Sequence, residues 1–90
     1  MPNVFDLTLV SRARRVLHHQ LEERGLGFFL LPSSRVPRLD PRRIAWVVEA
    51  ARRCVSVHAR SDPNALSRTR RVVRRELIRR LSDAMLQAGL

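Results

Sequence analysis

Apolar residues recur at the helical period through three stretches of this chain, and one stretch between the first two breaks that period. Leu9, Val10, Ala13, Val16, Leu17 and Leu21 share one face of a segment from about Asp6 to Arg24, with Arg12, Arg15, His19, Glu22 and Glu23 opposite. Gly25 is the expected helix stop. A second helix is announced by Asp40-Pro41, an N-cap carboxylate followed by a proline that needs no donor, and Ile44, Val47, Val48, Ala51, Val55 and His58 then line one face of Pro41 to Ala59. Asp62-Pro63 repeats the signal for a third helix, Pro63 to Gln87, with Gly89 near its end. Its expected buried stripe is Leu66, Val73, Leu77, Leu81, Ala84 and Ala88. Strict heptads would instead set Arg70 and Arg80 on the seam, so a long parallel coiled coil is disfavoured.

The non-helical stretch, Leu26 to Leu39, carries the apolar run Leu26-Gly27-Phe28-Phe29-Leu30-Leu31 and then Pro32-Ser33-Ser34 and Pro37. A short strand and a packed loop both fit it. The fold class expected is therefore all-α: a small three-helix bundle with a long C-terminal helix and an apolar connector between helices one and two. Ninety residues support one core, so residues 1–90 are read as a single helical domain.

Composition changes this picture in one respect. The chain is 44% hydrophobic, enough to fold, yet its formal net charge is +10, and all 18 basic residues are Arg. A GC-rich genome explains Arg in place of Lys but does not require that excess of charge. Such a chain repels itself unless nucleic acid, an anionic membrane or an acidic protein neutralises it. Cys54 is the only cysteine, which excludes an intrachain disulfide and an all-cysteine metal site and makes a reducing cytoplasm the expected location. No signal peptide is evident, and no apolar run approaches the ~20 residues of a membrane span.

Arg68, Arg71, Arg75 and Arg79 stand three, four and four residues apart, on the helix face opposite the Leu66 to Ala88 stripe, with Arg74 beside them. Solvated helix faces usually mix signs at i,i+4; this one does not, and Glu76 and Asp83 are expected off it. Planar guanidinium forks suit phosphate, so this row is the candidate nucleic-acid surface. The scarce aromatics, Phe5, Phe28, Phe29 and Trp46, are not interleaved with it, which favours duplex DNA over a single strand. Read as a helix-turn-helix, helices two and three would present Asn64, Ser67, Arg68 and Arg71 to base edges, although the third helix is long for that motif and its turn lacks Gly. A ribbon-helix-helix order ranks lower, because the strand would carry no polar reader. The favoured reading is a homodimeric bundle that binds duplex DNA as a regulator or accessory factor, a symmetric pair doubling the Arg rows.

A second reading is a protein-interaction module, an inhibitor or adaptor. Trp46, Ala50 and Val57 make a second apolar strip on helix two, and with Phe28, Phe29 and Arg53 they could grip an acidic partner or a second copy of the chain. The plainer alternative places helix two centrally, with that strip packed internally. Cys54 and His58 are expected to be core residues rather than metal ligands or a thiol and base. His18 and His19 point about 100° apart on a helix and make a poor metal pair; a basic ribonuclease using one of them ranks third. No Gly-rich phosphate loop or catalytic constellation is visible, so neither an enzyme, a cofactor nor a small-molecule substrate is expected.

Overall fold

The computed structural model describes residues 4–55 and 63–90 and is all-α in the described residues: α1 (Val4–Arg24), α2 (Pro41–Val55) and α3 (Pro63–Gln87), with a 3-10 turn at Leu26–Phe29. Each helix packs against the other two. The end of helix two expected at Ala59, the core role of His58, the strip residue Val57 and the Asp62 cap all lie outside the described residues.

The helix limits follow from local chemistry. At the start of α2 the Asp40 carboxylate accepts the Arg42 N–H at 2.9 Å through Oδ1, and the Asp40 carbonyl accepts the Ile44 N–H at 3.0 Å. Pro41 between them has no donor to leave unsatisfied. Gly25 donates its N–H to the Leu21 carbonyl at 2.8 Å and turns the chain with φ 78°, a conformation that suits glycine because no Cβ collides with the backbone. Gly89, at φ 75°, ends α3 in the same permissive region, where the Leu90 N–H reaches the Met85 carbonyl at 2.9 Å.

The apolar run after Gly25 is mainly a turn. Leu26–Phe29 is 3-10, and only Leu30 pairs with Leu39, in a single antiparallel bridge. Leu31 donates to the Arg38 carbonyl at 2.9 Å and Asp40 donates to the Phe29 carbonyl at 2.7 Å. Pro32 and Pro37 then remove the donors a longer ladder would use, so the loop closes after one bridge. This places Phe29 with no exposed surface among the three helices.

The core comprises Leu9, Ala13 and Leu17 from α1, Phe29, then Ile44, Val47, Val48, Ala51 and Val55 from α2, and Val72, Val73, Leu77 and Leu81 from α3. The stripes read from the sequence are therefore correct for α1 and for the described part of α2. On α3 the stripe is rotated and shorter than expected. Leu66 and Ala84 are half-buried and Ala88 is exposed, whereas Thr69, Val72 and Glu76 are buried. Thr69 satisfies its hydroxyl by donating to the Ala65 carbonyl at 2.8 Å. The core expectation for Cys54 is overturned: its side chain is exposed, because Val55 takes the inward position and successive helix residues diverge by about 100°.

Two aromatics expected to act together are thus separated by burial. Phe29→Ala should destabilise the fold by about 3–5 kcal/mol, and Trp46→Ala, at a side chain 60% exposed, by less than about 1 kcal/mol. Thermal melts followed by circular dichroism check this; equal losses would contradict the assignment of Phe29 alone to the core.

Candidate nucleic-acid interface

Because Val73, Leu77 and Leu81 bury one side of α3, helical geometry turns Arg68, Arg71, Arg75 and Arg79 to the other, and all four are exposed, as is Arg74 beside them. Among the described residues none of these five guanidinium groups has an ion pair or hydrogen bond with the chain itself. At 1.5 Å per residue, Arg68 to Arg79 cover about 16 Å of helix axis. Asn64 and Ser67, the other positions expected at the N-terminal end of this surface, are exposed as well.

The arginines of α3 that flank its packed side are paired differently. Arg70 donates from Nε to Glu49 of α2 at 2.5 Å, and the same carboxylate accepts Nε and Nη2 of Arg52 at 3.0 and 2.9 Å. Hydrogen bonding to Arg52, above all, holds the Glu49 carboxyl below its ordinary range; partial desolvation opposes this, and the Arg70 hydrogen bond adds to the lowering. Arg80 contacts Nδ1 of His18 through Nη2, and the other ring nitrogen of His18 lies 3.0 Å from Glu22. Arg70 and Arg80, the heptad-seam arginines of the sequence, are thus the cations that α3 turns toward its neighbours.

Glu76, expected off the Arg face, lies on the packed side of α3 with its side chain 7% exposed; Arg14 of α1 donates to it from Nε at 3.1 Å. Both line a shallow depression of about 200 Å³ between α1 and α3, together with Leu17, Arg79, Arg80 and Asp83. The sequence signal for this pair was a single carboxylate three residues past Val73 in an otherwise basic run. His18 and His19 are both exposed and sit within 3.0 Å of Glu22 and Glu23 respectively, one turn along α1.

The partner-binding residues expected on α2 and the connector divide. Phe29 belongs to the core and cannot contact a partner, because the single bridge and the 3-10 turn fold it inward. Phe28 is half-buried, Trp46 and Arg53 are exposed, and Val57 lies outside the described residues. The packed alternative for the Trp46 strip is overturned, since Trp46 projects roughly opposite the Ile44, Val47 and Ala51 positions. Phe28 and Trp46 approach with ring centroids 5.9 Å apart. Arg24 stacks 4.9 Å from the Phe28 ring and 5.0 Å from the Trp46 ring, and Arg43 lies 4.4 Å from Phe28. Sequence reading missed Arg24 and Arg43, which are remote from one another along the chain.

Comparison of the chain with family models, with curated proteins and with solved structures gives no match.

Two outcomes follow from the paired carboxylates. Arg14→Ala should cost about 1–3 kcal/mol, because a buried carboxylate loses its donor, and adding Glu76→Leu should recover much of the loss in chemical denaturation. For Glu49, a depressed folded pKa means that its contribution is present above the ordinary value of 4.5 and is lost as pH falls from there through the folded value. Glu49→Gln should therefore lower stability at neutral pH by less than about 1 kcal/mol, since the pair is partly solvated, and should have no effect at the acid end of a pH series.

Proposed function

We propose that this chain is a small basic binding protein, not an enzyme, that grips the phosphates of duplex DNA through the outer face of α3 as a regulator or accessory factor. The observation that carries this reading is the set of five exposed guanidinium groups, Arg68, Arg71, Arg74, Arg75 and Arg79, that no carboxylate of the described chain neutralises. Where the protein has acids within reach, its arginines take them, as at Glu49 and Glu76. Asp83 stands one turn beyond Arg79 but pairs with none of the five, and a row without ion pairs among the described residues, in a chain of net charge +10, is suited to an external polyanion. Its length, about 16 Å, is enough to meet several phosphates of a duplex, which carries one per ~3.4 Å of helix axis on each strand.

Duplex is favoured over single strand because the exposed indole of Trp46 stands on α2, so among the described residues the Arg row has no aromatic platform for unstacked bases. Asn64 and Ser67 are exposed at the leading turn of α3, the position from which a helix-turn-helix reads base edges. An exposed, unpaired Cys54 suits a reducing compartment, and we place the protein in the cytoplasm on that ground.

With about five phosphate contacts, the logarithm of affinity for duplex DNA should fall by roughly 4 for each tenfold rise in salt. Arg71→Glu with Arg75→Glu should abolish retention, measured by fluorescence anisotropy of a labelled duplex. An unchanged affinity in that double variant, or no binding at low salt by the original chain, would end this reading.

A further inference from the structure

The cluster formed by Arg24, Phe28, Arg43 and Trp46 is not explained by the α3 surface. It lies where the end of α1, the 3-10 turn and the first turns of α2 meet, and Trp46 is turned away from the core side of its helix. A 60% exposed indole costs hydration free energy, and the fold has not covered it. What the fold has done is stack guanidinium groups beside it. Arg24 is within 5.0 Å of both ring centroids, and Arg43 caps Phe28 at 4.4 Å.

A guanidinium carbon held over a ring can still offer its N–H donors to acceptors at the ring's margin. Arg24 spends Nε on Gln20 at 2.9 Å, and among the described residues its two terminal nitrogens have no acceptor. Arg43 has only a long contact, 3.9 Å from Nε to Asp40, and that carboxylate is already used to cap α2. The side chain of the adjacent Arg42 has no partner among the described residues. The arrangement is an apolar surface rimmed by arginines whose terminal nitrogens have no acceptor among the described residues.

We infer that this cluster is a docking site for an acidic segment of a partner protein, with carboxylates on Arg24 and Arg43 and an apolar side chain against Trp46. Charge complementarity selects this occupant. A second copy of the chain would bring another net +10 against the same arginines, and self-pairing through this face would oppose cation to cation. An unstacked base would have to compete with the chain's own guanidinium groups for the ring faces they already cover. A carboxylate meets no such competition, and bidentate Arg–carboxylate pairing beside a desolvated aromatic is the usual composition of an interface anchor.

Trp46 is the only tryptophan and the chain has no tyrosine, so its fluorescence reports this cluster directly. The test titrates the full chain with a short peptide of alternating Glu and Leu and, separately, with oligothymidylate. The peptide should shift Trp46 emission to the blue, and Arg24→Ala with Arg43→Ala should weaken its binding by ~10-fold or more. The charge-matched control, Arg68→Ala with Arg71→Ala, should bind the peptide as the original chain does, with circular dichroism verifying that both variants fold. Equal binding by the two double variants would show attraction by net charge alone and overturn the site. It is overturned equally by a response to oligothymidylate but not to peptide, by a concentration-dependent shift of the free protein accompanied by a dimer mass, and by no response at all. Loss of duplex binding in the Arg68 and Arg71 control with peptide binding retained separates this site from the α3 surface.

Discussion

Guanidinium groups cannot enter a core of Leu, Val, Ile and Ala without losing their hydration, and that exclusion arranges the rest of this molecule. Three helices must each bury an aliphatic side while carrying 15 of the chain's 18 arginines, so every helix is forced to concentrate cations on what remains. Where two helices converge, arginines at the margin of the contact find an acid across it. Arg14 reaches Glu76 between α1 and α3, and Arg70 reaches Glu49 between α2 and α3. Two of the eight acids are held at these seams, and on the exposed side of α3 only Asp83, one turn beyond Arg79, accompanies the Arg row among the described residues.

Separate treatment of the two aromatic neighbours shows the same constraint in reverse. Phe29 has no polar atom and is drawn fully inside by the turn after Gly25, while Phe28 stays half-buried and supports Trp46 at the surface. The two phenyl rings meet edge to face at 5.2 Å, so the core and the exposed cluster share one aromatic contact. Cations then gather on the outer ring rather than on the inner one.

The helices were legible in the sequence because periodicity and end signals agreed. Asp40-Pro41 marked the start of α2, Pro63 that of α3, and the stripes of α1 and α2 were read residue by residue. The Arg row was legible for the same reason, since a helix with one buried side has a calculable opposite. Less legible were features that depend on which side chains meet across the fold. Glu76 and Thr69 look polar and are buried, because the side of α3 that packs against both α1 and α2 is rotated away from its purely apolar stripe. Cys54 looks apolar and is exposed, one position short of the inward Val55. Arg24 and Arg43 belong to different helices, and only the path of the connector between them brings both onto Phe28.

The far end of α3 has a property of its own. Leu81 is the last residue of that helix in the core, Ala84 and Met85 are half-covered, and everything from Leu86 to Leu90 is exposed. Amide protons in this final turn can exchange with solvent by fraying, whereas those around Leu77 are released only when the bundle itself opens. The helix thus has a rigid stem and a loose tip, and the tip can unwind and re-form without disturbing the charged row that precedes it.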